Sequence, residues 1–274
     1  MATLRNIPSF MNSATVAQID ARLEAIKYDH RVIIPLAIES GSRAWGFPSP
    51  DSDYDCRFIF VRSTSYYLSL FPERDVIETP LERDLDVNGW DLAKALKLLL
   101  KGNAVIIEWL TSPVIYGADS QFRSEFLDLA RLVVDRELVS RHYLHLGERQ
   151  RRTYFRDEKQ IALKKIFYAL RPAAALRWLR LHPGEAIAPM HFPTLIAECD
   201  APDAVKTLTE ELIVQKSITR ELGTGTLPRP IAEFIEAEFS EAFKTLDGRP
   251  RPVATSAKEK VQSFFQAVLS RVKS

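Results

Sequence analysis

Glu39-Ser-Gly-Ser-Arg-Ala-Trp-Gly-Phe-Pro-Ser-Pro-Asp-Ser-Asp-Tyr-Asp-Cys-Arg57 decides the reading of this chain. Within it, Gly41-Ser42 is followed by ten residues and then by Asp53-Tyr54-Asp55, two carboxylates at i and i+2. Upstream, Arg31-Val-Ile-Ile-Pro-Leu-Ala-Ile38 is apolar and rich in branched residues, the pattern of a buried strand. Downstream, Cys56-Arg-Phe-Ile-Phe-Val61 has the same character. If Asp53 and Asp55 lie on this second strand, the two-residue period puts both carboxylates on one face. Side by side they repel, and the arrangement is costly without a cation between them. A hard divalent ion such as magnesium suits an all-oxygen site that also holds phosphate. A Gly-Ser turn facing it can offer backbone N–H groups to phosphate oxygens. Together these parts predict a metal-dependent nucleotide site.

The surrounding pattern predicts the frame of that site. Residues 14–29 read as a helix with Val16, Ile19, Leu23 and Ile26 on one side. A short helix is expected around Arg43 to Trp45, and a helix or strand over Tyr66 to Phe71. A third strand is expected near 83–88, with helices near 89–101 and 103–110. Trp90, Leu92, Ala93, Leu96, Leu99 and Leu100 fit one helical apolar face. After Ser120 helices dominate, at about 121–132, 136–156 and 158–181, with a break or fresh start expected at Pro172. Beyond a proline-rich connection, further helices are expected at 203–221, 230–245 and 257–272.

At 274 residues, 46% hydrophobic and 27% charged, the chain has an ordinary globular composition and room for two modest domains. A net charge of +1 does not mark it as a nucleic-acid binder overall. No apolar stretch approaches membrane-span length and the N-terminus has no signal-peptide pattern, so no membrane association is expected. Cys56 and Cys199 stand far apart, which suits a reducing cytoplasm and no zinc site.

The quoted stretch resembles the signature of the DNA polymerase beta-like nucleotidyltransferase superfamily. More narrowly, it is similar to the RNA repair pathway DNA polymerase beta family, as are three later blocks. These are Asn88-Gly-Trp-Asp-Leu-Ala-Lys-Ala-Leu-Lys97, Gly102-Asn-Ala-Val-Ile-Ile-Glu-Trp-Leu-Thr-Ser-Pro-Val-Ile-Tyr116, and Lys164-Lys-Ile-Phe-Tyr-Ala-Leu-Arg-Pro172 with Pro189-Met190 beyond it. The resemblance implies an α+β fold: a polymerase-beta-like domain with a small mixed sheet and flanking helices over 1–118, and a helical domain over 119–274. It implies transfer of a nucleoside monophosphate from a nucleoside triphosphate to a hydroxyl, with release of pyrophosphate. Asp53 and Asp55 would hold two magnesium ions, and Gly41 and Ser42 would bind the β- and γ-phosphates.

A two-metal site of this kind needs a third carboxylate from a neighbouring strand to help activate the attacking hydroxyl. In Arg83-Asp-Leu-Asp-Val-Asn88, Asp84 and Asp86 share one face while Leu85 and Val87 share the other. Asp86 is the expected third ligand, as it stands just before the strand's expected end, with Asp84 as the alternative. Asp91 suits a first helical turn instead. Arg43 is positioned either to grip triphosphate oxygens in a fork or to pair with Asp51 or Glu39. Lys94 either contacts phosphate or lies on a solvated helix face. Glu108, within an apolar run, needs a helix end or an arginine as partner.

Charge is unevenly distributed. From Arg141 to Arg180 there are eleven Lys or Arg against three acids. Arg149, Arg151, Arg152 and Arg156 interleave with Tyr143, Tyr154 and Phe155, the components of a phosphate-binding and base-stacking surface. With the family resemblance, this favours an RNA end as acceptor. A protein or small-molecule acceptor is the alternative, as is an antitoxin-like nucleotide-binding partner with little catalysis. A purely structural acid cluster would need to be salt-bridged, and nothing nearby in the sequence supplies enough cations.

Overall fold

A computed structural model of the chain describes residues 3–82, 84–155, 160–220, 222–246, 248–249 and 252–272. Six strands form one mixed sheet: β1 (Thr3–Asn6), β2 (Ile33–Glu39), β3 (Tyr54–Val61), β4 (Val76–Glu78), β5 (Leu85–Asp91) and β6 (Ile115–Asp119). Their order is β1-β6-β2-β3-β5-β4, with β3 and β5 parallel and the other neighbours antiparallel. The parallel register makes Asp55 and Asp86 Cα partners across β3 and β5. The expected α+β class holds.

Alternation along the strands sends side chains into two packing layers. Ala37, Cys56, Phe58, Phe60 and Val87 pack with Val16, Ile19, Leu23 and Ile26 of α1 (Ser13–Asp29). Helix α1 starts where Asn12 Oδ1 accepts the N–H groups of Ala14 and Thr15. Leu36, Ile38, Ile59 and Val61 point the other way, into the larger core. That core contains α4 (Leu92–Leu100), α5 (Ala104–Thr111) and α6 (Ser120–Val133), beyond the short α2 (Gly41–Trp45) and α3 (Thr64–Tyr67). It continues into α7 (Arg136–Tyr154), α8 (Ile166–Leu181), α9 (Phe192–Glu198), α10 (Asp203–Ile218), α11 (Arg229–Thr245) and α12 (Thr255–Arg271). A two-stranded ribbon of β7 (Ile161–Ala162) and β8 (Thr224–Gly225) closes the loop before α8.

Three departures from the sequence reading matter for the site. Asp86 lies near the start of β5, not before its end, because the strand continues through Gly89 to Asp91. Trp90 is therefore a strand residue, stacked on Trp109 at 4.1 Å, and α4 begins only at Leu92. Asp91 caps α4 by accepting the Ala93 N–H at 2.7 Å and also receives the Tyr67 hydroxyl. Helix α8 runs unbroken through Pro172. The proline removes one helical hydrogen bond, but it is buried against α7, where Gly147 leaves room for it.

Candidate active site

The chain leaves β2 at Glu39 and turns through Gly41, whose φ of +64° lies in the left-handed region. A side chain at 41 would place its Cβ 2.1 Å from Asp55 Oδ2. Position 41 is thus glycine for two reasons: backbone conformation and the approach of the Asp55 carboxylate. Beneath this turn Glu39 is fully buried. Its Oε1 accepts the Asp55 N–H at 2.9 Å, and its Oε2 accepts the Tyr116 hydroxyl. Burial pushes the Glu39 carboxyl up to about 8, opposed by the hydrogen bond from Tyr116.

Asp53 stands one residue before β3 and Asp55 on its second residue. Burial raises both carboxyls; the acids Asp84, Asp86 and Asp51 raise Asp53 further, while Arg57 counteracts the rise at Asp55. Ser42 Oγ donates to Ser52 Oγ at 2.9 Å, tying the Gly-Ser turn to the loop that carries Asp53.

Arg43 has a different placement from either sequence expectation. Its Nε and Nη2 donate to the carbonyls of Asp53 and Ser52, at 3.2 and 2.5 Å, and its guanidinium lies 3.9 Å above the Tyr54 ring. Buried there, it braces the acidic loop and is absent from the cavity wall. Lys94 pairs with Asp75 at 2.9 Å and is likewise off that wall.

Asp86 sits beside Asp55 with Arg57 between them. Arg57 Nη2 lies 3.1 Å from Asp55 Oδ1 and 2.7 Å from Asp86 Oδ2. The neighbouring cation that the sequence reading did not find is therefore Arg57, two residues after Asp55 and on the same strand face. That period-two spacing was the available signal. Among the described residues, no three Asp, Glu, His or Cys side chains are arranged to hold a metal ion. The donor chemistry of Asp53 and Asp55 fits a hard divalent ion, whereas Asp86 as placed is already engaged.

These residues open onto a cavity of about 590 Å³. Gly41, Ser42, Asp51, Asp53, Asp55 and Arg57 line it. Lys164, Lys165, Tyr168 and Arg171 of the α8 region also line it, with Lys216 and Arg220 from and just after α10. Trp45 and Tyr168 meet edge-on at 6.5 Å, and Phe47 stacks on Phe167 at 4.5 Å. Lys216 Nζ donates to the Phe47 carbonyl at 2.6 Å, and burial lowers its pKa to about 8. Sequence reasoning missed Lys216, although it follows Val205, Thr209 and Leu212 on the buried stripe of α10. Arg171 lies 4.2 Å over Trp45 and pairs with Glu108, which also receives Tyr143 and Trp45. Glu108 thus has the arginine partner its burial requires.

Two arginines of the basic cluster, Arg151 and Arg152, are engaged in ion pairs. Arg151 pairs with Glu236 and, at 3.1 Å, with Glu148, while Arg152 lies 3.4 Å from Glu148. Tyr143 is buried in the core, and Arg156 lies outside the described residues.

Over residues 16–266 the sequence matches the RNA repair pathway DNA polymerase beta family, RlaP. The chain belongs to this family. It is also 37% identical over 236 residues to the uncharacterized protein YcgL of Bacillus subtilis (strain 168), covering 85% of this chain and 90% of that protein. A solved structure of a nucleotidyltransferase-like protein from Exiguobacterium sibiricum 255-15 aligns over 93% of this chain and 81% of that one. At 12% identity and a TM-score of 0.31, that likeness carries no weight here. Family membership points to nucleotidyl transfer as the class of chemistry. No described helix is long and apolar enough to cross a membrane.

Proposed function

We propose that the protein transfers a nucleoside monophosphate from a nucleoside triphosphate to a hydroxyl acceptor, an RNA end, with release of pyrophosphate. The observation that carries this reading is one cavity lined both by Asp51, Asp53 and Asp55 and by Lys164, Lys165, Lys216 and Arg220. A triphosphate needs both kinds of neighbour. Its excess negative charge favours the cations, and carboxylates can share a divalent ion with its oxygens. The volume falls within the roughly 300–1,000 Å³ typical of small-molecule sites.

In this reading residues 1–118 supply the carboxylates and residues 119–274 the cationic wall. Gly41 and Ser42 face the β- and γ-phosphates, and Trp45 with Tyr168 offers ring surface to a base. Arg43 fixes the Asp53 loop. Magnesium held by Asp53 and Asp55 would neutralise phosphate charge and lower the pKa of the attacking hydroxyl. Catalysis otherwise rests on positioning. Two ions with Asp86 as third ligand would require an Asp86 oxygen to take an ion beside or in place of its present partner, Arg57 or Asn88.

The pairing of Arg151 and Arg152 with Glu148 and Glu236 favours a second reading, in which the acceptor is a protein or a small molecule. Incubating the protein with α-labelled triphosphates and total RNA, total protein or buffer alone separates the two. Label on RNA is the expected result, and label confined to protein selects the second reading. No label in any sample, with all four nucleotides tried, rejects transfer.

A further inference from the structure

We propose that Arg57 is a positioning residue that stands in for a second metal ion, so that the site takes a single divalent cation on Asp53 and Asp55. This rests on the nucleotidyl-transfer reading of the same cavity and adds the number of ions and the role of Asp86.

The geometry around Arg57 is closed on one side and open on the other. Nη2 bridges Asp55 Oδ1 and Asp86 Oδ2 at 3.1 and 2.7 Å. Nη1 donates to the carbonyls of Cys56 and Asp86 at 3.0 and 2.9 Å. Asn88 Nδ2 donates to the remaining Asp86 oxygen, Oδ1, at 2.5 Å. Both Asp86 oxygens are therefore engaged, and Asp86 does not line the cavity, whereas Asp53, Asp55 and Arg57 do. Asp55 keeps Oδ2, the oxygen that faces Gly41.

The chemistry follows from this division. The parallel register brings Asp55 and Asp86 side by side, so their repulsion must be offset by a cation. A guanidinium carries a permanent charge on a planar fork and can serve two acceptors at once. Only 19% of the Arg57 side chain is exposed, and each of the two carboxylates is 29% exposed. Swinging Arg57 away would leave two carbonyls and two carboxylates without these donors. An ion between Asp55 and Asp86 is thus opposed, while Oδ2 of Asp55 and the Asp53 carboxylate remain for one ion. Arg57 then orients a metal ligand through its other oxygen, as outer partners do in metal sites. Asp86 holds Arg57.

Manganese binding to the full-length protein, followed by the paramagnetic resonance signal of the free ion, tests this without turnover. The wild type is expected to bind one Mn²⁺ in the cavity, and Asp53→Asn, which removes a ligand, to weaken it by about a hundredfold or more, beyond the usual loss for an outer partner. Asp86→Asn, which reaches the ion only through Arg57, is expected to weaken it by no more than about tenfold, the low end for loss of an outer partner. Arg57→Gln is expected to take up a second ion, and Arg57→Lys to stay at one. Two comparable ions on the wild type, or an Asp86→Asn defect as large as that of Asp53→Asn, would overturn the proposal and leave the nucleotide reading intact. Arg57→Gln folded and still binding one ion would overturn it as well. No ion on any variant would reject the metal site itself, and the proposal with it.

Discussion

Asp55 is shaped by a glycine, a buried acid and an arginine, and each gives a separable expectation. Gly41→Ala forces a β-carbon into the left-handed region and against Asp55 Oδ2. A cost of about 2 kcal/mol is expected from strain of this kind, seen as a lower melting temperature together with loss of nucleotide transfer. An alanine variant that melts and turns over like the wild type would show that Asp55 need not approach this turn. Glu39 gives a pH signature. Its carboxyl is raised from 4.5 to about 8 on folding. The folded state therefore holds a proton that the unfolded state has released, so this contribution to stability is fully present below 4.5 and lost as pH rises through about 8. Glu39→Gln should remove that decline, and chemical denaturation at a series of pH values checks it. Identical slopes in wild type and Glu39→Gln would contradict the assignment. At this scale the sequence showed the Gly41 and Asp55 spacing plainly. It did not show Arg43 bracing the loop over Tyr54, because that contact exists only once residues 52–54 fold back over it.

Among the elements, α5, α7 and α8 meet around one buried carboxylate. Glu108 receives Arg171, Tyr143 and Trp45, so the wall bearing Arg171 is fixed to the turn bearing Trp45. Glu108→Ala leaves the Arg171 charge buried without its partner, and a loss of about 3–5 kcal/mol is expected. Glu108→Leu combined with Arg171→Met should lose less than Glu108→Ala, because no unpaired charge remains. Urea denaturation of both variants decides this, and a double variant as unstable as the single one would show that packing, not charge, dominates. Helix α1 was legible because its four buried residues repeat at helical spacing. Strands β4 and β6 were not, since segments of three and five residues owe their conformation to neighbours that sequence does not display. The end of β5 was misplaced because Asn88-Gly89 reads locally as a turn, whereas Gly89 packs under Phe58 in the sheet.

Across the whole molecule, the lining of the cavity comes from distant parts of the chain, with Asp55 on β3 and Lys216 on α10. Such a meeting has no local periodicity, so nothing in the sequence singled out Lys216. Helix α12 returns from the C-terminal end to the first half of the chain. Phe264 packs on Phe122 and Phe126 at 6.0 and 5.1 Å, Phe265 on Tyr67 at 5.0 Å, and Arg271 pairs with Glu125. Removing residues 255–274 should uncover these rings, lower the melting temperature and increase binding of an apolar dye; unchanged values would show that α12 is dispensable to the fold. Nucleotidyl transfer in this cavity is read from the release of pyrophosphate. Wild type and Asp55→Asn are incubated with each nucleoside triphosphate, magnesium and total RNA. The wild type is expected to release pyrophosphate, with equal label on RNA, and Asp55→Asn to release none. Equal release from both proteins, or release of inorganic phosphate alone, would contradict transfer in this cavity.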